Sequence, residues 1–127
     1  MQKKPTHAFV TLGEAMAMFV AKTPGQLADI EDFHRSLAGA EVNVAIGMAR
    51  LGFESSYISK VGKDSFGGFI RKAISKENIC NDWISESASH ATGFMLKSNV
   101  TDGSDPKVEY FRRNSAASTL SAVDIDA

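Results

Sequence analysis

Gly39, Ala40, Glu41 and Asn43 sit together in Ala38-Gly39-Ala40-Glu41-Val42-Asn43-Val44-Ala45, where two small residues open an apolar helix. The first N–H groups of a helix lack intrahelical partners, and the positive end of its dipole favours a carboxylate such as Glu41 in the first turn. Asn43 is polar within an otherwise apolar stretch. A buried amide without partners costs about 1–3 kcal/mol. Asn43 therefore either bonds to nearby backbone or, with the free N–H groups after Gly39, faces a cleft and holds a polyhydroxy ligand. Glu14 follows Gly13 just past an apolar run at residues 7–12. Such a glutamate is either a solvated loop residue or part of the cleft that open α/β sheets form at the carboxyl ends of their strands.

These residues need elements to position them. Val42, Ala45, Ile46 and Ala49 recur at i, i+3, i+4 and i+7, the apolar face of a helix. Val44, Met48 and Leu51 make the other side apolar too, so the helix is expected to be covered on most of its surface. Gly52 stands where a C-terminal cap belongs. Upstream, residues 7–12 read as a buried strand. Residues 15–21 read as a second, with Met16, Met18 and Val20 on one face and Ala15, Ala17 and Phe19 on the other. Thr23-Pro24-Gly25 is turn chemistry, and residues 33–37 return as a short strand with His34 and Arg35 on the surface. Downstream, residues 55–61 form a strand of alternating polarity. Asp64 caps a helix that carries Phe66, Phe69, Ile70, Ala73 and Ile74 on one face and Arg71, Lys72, Ser75 and Lys76 on the other, ending at Asn78. Strand and helix thus alternate, the pattern of βαβ units and a parallel sheet.

The last third changes character. Residues 92–100 and 107–113 read as the arms of a long hairpin around Thr101-Asp102-Gly103-Ser104-Asp105-Pro106. Val108, Tyr110 and Arg112 share one face; Glu109, Phe111 and Arg113 share the other. A hairpin with two partly apolar faces is not stable alone, so it is expected to join segments 15–21 and 33–37 in a small separate sheet. Ser121 and Asp124 have capping-box spacing, which places a helix start near Ala122. With so few strands, the parallel sheet keeps one edge uncovered.

Composition narrows the function classes. A formal net charge of −1 and the absence of a basic run give no electrostatic footprint for nucleic acid. Met1 to Pro5 is polar and basic but leads into no signal-peptide core, and no apolar run reaches transmembrane length, so a cytoplasmic protein without membrane contact is expected. Cys80 is the single cysteine and reads as a small core residue, which fits a reducing compartment. His7, His34 and His90 lack metal-ligand spacing, Trp83 reads as a packing anchor, and no P-loop occurs.

Gly13-Glu14, the Ala38–Ala45 stretch, Arg50-Leu51-Gly52 and Val61-Gly62-Lys63-Asp64-Ser65-Phe66-Gly67 together resemble the N-terminal signature of ribokinase-like (phosphofructokinase-B type) sugar kinases. Within that family, the Ala-Gly-Ala-Glu-Val-Asn-Val-Ala motif and Tyr110-Phe111-Arg112-Arg113-Asn114-Ser115-Ala116-Ala117-Ser118 look most like 2-keto-3-deoxygluconate kinases. The resemblance covers nearly the whole chain.

The resemblance implies an α/β, ribokinase-like fold, with residues 1–127 as the N-terminal part of a kinase domain. Lid strands would fall at about 15–37 and 92–113, and the α/β part at about 7–14, 38–84 and 118–127. The lid would close over the sugar and carry homo-oligomer contacts. The ligand, a small sugar acid, would be held by the Gly39-Ala40-Glu41-Val42-Asn43 segment, with Tyr110 packing on the sugar and Arg112 pairing with its carboxylate. Two further positions depart from the commonest family pattern. Met95, in Thr92-Gly93-Phe94-Met95-Leu96, stands where a tyrosine is often found, and Glu14 stands where many relatives have aspartate. The family's Gly-rich turn ending in a general-base aspartate does not occur here. ATP and Mg2+ are therefore implied for the full-length enzyme and not for residues of this chain, and the isolated fragment is expected to be inactive. The alternatives are a fructokinase-like or 5-dehydro-2-deoxygluconokinase-like enzyme, or a non-catalytic sugar-acid binding or oligomerisation module.

Overall fold

A computed structural model describes residues 8–125. The expected strand start at His7, the Met1–Pro5 segment and the last two residues lie outside the described residues. The first strand, β1 (Ala8–Leu12), pairs in parallel with β4 (Glu54–Gly62), and β4 pairs in parallel with β5 (Ile84–Ser87), giving a sheet of order β1-β4-β5. Helix α1 (Ala40–Arg50) crosses between β3 (Phe33–Ala38) and β4, and α2 (Ser65–Lys76) follows β4. Strand β5 has no counterpart in the sequence reading. It is four residues long, Ile-Ser-Glu-Ser, and offers one apolar side chain to signal a strand.

The core follows from the helical periodicity. Val42 and Ala45 of α1, Ile70 and Ile74 of α2, and Tyr57 and Val61 of β4 are all fully buried and pack with Ile79 and Ile84. The expectation that α1 is covered on most of its surface is corrected: Val44 is 52% exposed and Leu51 75%. Only the stripe facing β1 and β4 is covered, because nothing in the described residues lies across the outer face. Asn43 is likewise exposed rather than buried. Trp83, read as an anchor, is 38% exposed and borders a shallow hollow with Val10, Ser56, Ile58 and Ile125. Cys80 is half-buried and forms a bridge opposite Ser56. Ser121 and Asp124 do form a capping box, though the element it opens is only the 3-10 turn Ala122–Asp124. No helix among the described residues is long and apolar enough to cross a membrane.

The expected second sheet forms, with order β3-β2-β6-β7 from β2 (Met16–Pro24), β6 (Phe94–Asn99) and β7 (Val108–Phe111). Strand β2 runs antiparallel to β3 and parallel to β6, and β6 and β7 form the hairpin. Register decides its two faces. Met18 pairs with Met95 and Met95 with Tyr110, so these share a face. On the other face Phe19 and Phe94 meet Phe66 of α2 with ring centroids 5.4 Å apart, and Phe94 stacks on Phe111 at 4.8 Å. These rings dock the small sheet onto the α/β part.

A second joint lies beside the rings. Asp64 caps α2 as expected, its Oδ1 accepting from Gly67 N at 2.8 Å. The same carboxylate accepts from Thr92 Oγ1 at 2.7 Å and Thr92 N at 2.9 Å, just before β6. Thr92 Oγ1 in turn accepts from Gly62 N at 2.8 Å. Partial burial alone would raise the Asp64 carboxyl, but the hydrogen bonds from Thr92 and Gly67 outweigh it and hold the group below the usual aspartate range.

Candidate functional site

Gly39 is where the small sheet hands the chain to α1. Its φ is +140°, and a Cβ there would stand 2.7 Å from Glu14 O and 3.1 Å from Val42 Cγ1, so no side chain fits. The glycine lets β3 turn directly into α1 and brings the helix start against Glu14. Asn43 N donates to Gly39 O at 3.0 Å, the first turn of the helix, while the earlier N–H groups keep their free positions.

The turn from β1 to β2 places Glu14 at the carboxyl end of β1, beside this helix start. Tyr110 arrives from β7, and Arg112 lies one residue beyond that strand. Together these segments enclose a cleft of about 730 Å3, within the usual size of a small-ligand site. Its walls include Glu14, Gly39, Ala40, Glu41, Asn43, Met95, Tyr110 and Arg112, so each position singled out from sequence borders one space. Met95 supplies a buried thioether to the wall. Leu12, Met16 and the short turn at Ala117 and Ser118 complete the wall.

Arg112 Nε lies 2.8 Å from Glu14 Oε1, with the Arg112 side chain 50% exposed and that of Glu14 only 9%. Ser115 Oγ donates to Glu14 Oε2 at 2.6 Å. The Glu41 carboxylate reaches back over Gly13. Among the described residues, the side chains of Glu41, Asn43 and Tyr110 make no hydrogen bond, which leaves them open to a ligand. Tyr57 of β4 is fully buried in the core with its hydroxyl unpartnered, and burial first, then the charge of Glu41, pushes its phenol well above the usual tyrosine range, so it stays neutral.

Two features escaped the sequence reading. The ion pair between Glu14 and Arg112 joins distant segments. Ser115 had no assigned role, although it lies inside the Tyr110–Ser118 motif that was singled out.

Residues 6–127 match the pfkB family carbohydrate kinase profile. The 2-dehydro-3-deoxygluconokinase of Bacillus subtilis (strain 168) is 48% identical over 116 residues, which is 91% of this chain and 36% of that protein. The crystal structure of a PfkB protein from Polaromonas sp. JS666 superposes with a TM-score of 0.88 at 45% identity, over 94% of this chain and 40% of that one. An uncharacterized sugar kinase, PH1459 from Pyrococcus horikoshii, solved in complex with ATP, gives a TM-score of 0.85 at 31% identity, over 93% of this chain and 38% of that one. The chain therefore spans well under half the length of each of these relatives.

Proposed function

Since the chain belongs to the pfkB family of carbohydrate kinases, we propose that it supplies the lid and half of the sugar site of a 2-keto-3-deoxygluconate kinase. The full-length protein would transfer the γ-phosphoryl group of ATP to the terminal hydroxyl of that sugar acid. One observation carries the reading: a guanidinium and an N-terminal helix turn border a single cleft.

The cleft offers groups for both parts of a sugar acid. Arg112 offers the terminal nitrogens of its fork to the carboxylate. Asn43 and the first N–H groups of α1, bordering the same cleft, suit sugar oxygens, and the Glu41 carboxylate accepts from sugar hydroxyls. Tyr110 would cover the sugar from the lid. Fixing the carboxylate at Arg112 sets where the far hydroxyl stands, and positioning of this kind is the main contribution a protein makes to phosphoryl transfer. ATP and Mg2+ belong to the full-length enzyme in this reading. Among the described residues no group of three or more His, Cys, Asp or Glu side chains is placed to hold a metal. The same reading gives the lid sheet the subunit contacts and the protein a cytoplasmic location.

Steady-state kinetics of the full-length protein test it. Wild type should phosphorylate 2-keto-3-deoxygluconate in preference to fructose. Arg112→Ala should raise KM for the acid about 100-fold, the value of a charge-assisted pair, with little change for fructose. Equal use of both sugars, unaffected by the substitution, would refute the reading.

A further inference from the structure

Ser115 is almost fully buried, 3% exposed, and touches the cleft only through Glu14 and Arg112, which line it. Its hydroxyl donates to Glu14 Oε2 at 2.6 Å, and its N–H donates to Arg112 O at 3.1 Å. It therefore touches both members of the Glu14–Arg112 pair. Gly93 closes the third side: a Cβ there would stand 2.6 Å from Glu14 Oε2 and 3.2 Å from Arg112 Cβ. The Glu14 carboxylate is thus seated where three segments cross, the turn after β1, the residue before β6 and the chain leaving β7.

That seating has a consequence for the arginine. With Oε2 engaged by Ser115, the other oxygen, Oε1, is the one turned to Arg112, and it meets the side nitrogen Nε. The two terminal nitrogens have no partner among the described residues. A guanidinium drawn to Glu14 by an ion pair on its Nε side keeps those nitrogens as a pair of donors for a carboxylate. A free arginine would lose rotamer entropy on binding; one already held loses less.

We propose that Ser115 is a positioning residue of the sugar-acid site: it fixes Glu14 so that Glu14 holds Arg112 by Nε with its terminal nitrogens free for the ligand carboxylate. This rests on the sugar-acid reading of the cleft. Ser115 touches no ligand in this scheme. It acts through Glu14 and determines preference for acids over neutral sugars.

The test uses the full-length protein with Ser115→Ala, Ser115→Thr and Glu14→Gln. Ser115→Ala should raise KM for 2-keto-3-deoxygluconate about tenfold, the factor carried by one hydrogen bond to a charged group, with kcat within about twofold. KM for fructose should stay within about twofold. Ser115→Thr, which keeps the hydroxyl, should restore most of the loss, and Glu14→Gln should reproduce the alanine phenotype. A Ser115→Ala enzyme that keeps the wild-type acid preference would overturn the proposal. So would one that loses kcat for both sugars alike, in step with its melting temperature and without rescue by threonine, since that marks a purely structural hydroxyl. A wild type with no acid preference would instead overturn the reading of the cleft, and the role of Ser115 with it.

Discussion

Asp64 and Glu14 both stand where the small sheet joins the α/β part, yet their carboxylates are satisfied differently. Asp64 accepts only from neutral donors, among them Gly67 N, Thr92 N and Thr92 Oγ1, supplied by backbone or a buried side chain. Glu14 has one neutral donor, Ser115 Oγ, and one charged partner, Arg112, which is half exposed and borders the cleft. A carboxylate has about four lone-pair sites. At Asp64 the protein fills most of them with groups that have nothing further to bind. At Glu14 the partner keeps donors of its own. The first arrangement holds the joint; the second leaves charge available at a surface a ligand can reach.

The largest effect separating the two is on stability. Asp64→Ala removes the cap of α2 and strands the N–H groups of Gly67 and Thr92 and the Thr92 hydroxyl. The expected loss is about 2–4 kcal/mol in urea denaturation, summing a cap and a buried unsatisfied group. Acid-over-neutral sugar preference should survive in whatever fraction stays folded. Glu14→Gln should show the reverse, a small stability change and a large loss of preference. If Asp64→Ala spared stability and abolished preference, the distinction between the joints would collapse.

Why one joint was legible in sequence and the other was not comes down to distance along the chain. The cap at Asp64 is local: its partner Gly67 is three residues away, and helix starts carry that signature. Strand and helix periodicities are local too, which is why β2, β3, α1, β4, α2 and the β6–β7 hairpin were readable from spacing. Glu14 and Ser115 are 101 positions apart, and no pattern in either neighbourhood encodes their contact. Thr92 is similarly remote from Asp64, 28 positions on. Burial of α1 was over-read for a related reason: periodicity finds which residues are apolar, not which sides have neighbours, and Val44 and Leu51 face solvent. The short β5 has too few apolar residues to register. The residues bordering the cleft were nameable because motif resemblance carries long-range information that spacing lacks.

Acid sharpens the comparison with a smaller effect. The folded-state carboxyl of Asp64 lies below its ordinary value of 3.8, held there by the Thr92 and Gly67 hydrogen bonds against the opposing pull of burial. The unfolded chain therefore takes up this proton first as pH falls. The stability from this group is fully present above pH 3.8 and drains away as pH drops through the lower folded value. Asp124 and Glu77 are also lowered, Asp124 by the Ser121 N–H and Glu77 by its bond from Arg50, so they too lose stability as pH falls. The informative quantity is thus the difference between wild type and Asp64→Asn across urea melts from pH 5 to 2. The wild-type curve should fall more steeply below about pH 4, with the two converging at the acid end. Parallel curves would show that Asp64 gains nothing from its donors.

The smallest expected effect lies on the ligand side. Tyr110 is exposed, shares a sheet face with Met95, and makes no hydrogen bond among the described residues. Removing its hydroxyl should therefore leave the fold alone: Tyr110→Phe should stay within about 0.5 kcal/mol of wild-type stability, as surface substitutions do. If the ring packs on the sugar and its hydroxyl adds one neutral hydrogen bond to an exposed ligand, KM for 2-keto-3-deoxygluconate should rise about threefold, below the full range of such bonds because water competes. Fructose should respond as strongly as the acid, because the hydroxyl sees sugar oxygens and not the carboxylate. That shared response is what sets Tyr110 apart from Arg112 and Ser115. A Tyr110→Phe enzyme that lost affinity for the acid alone would place the hydroxyl on the ligand carboxylate instead.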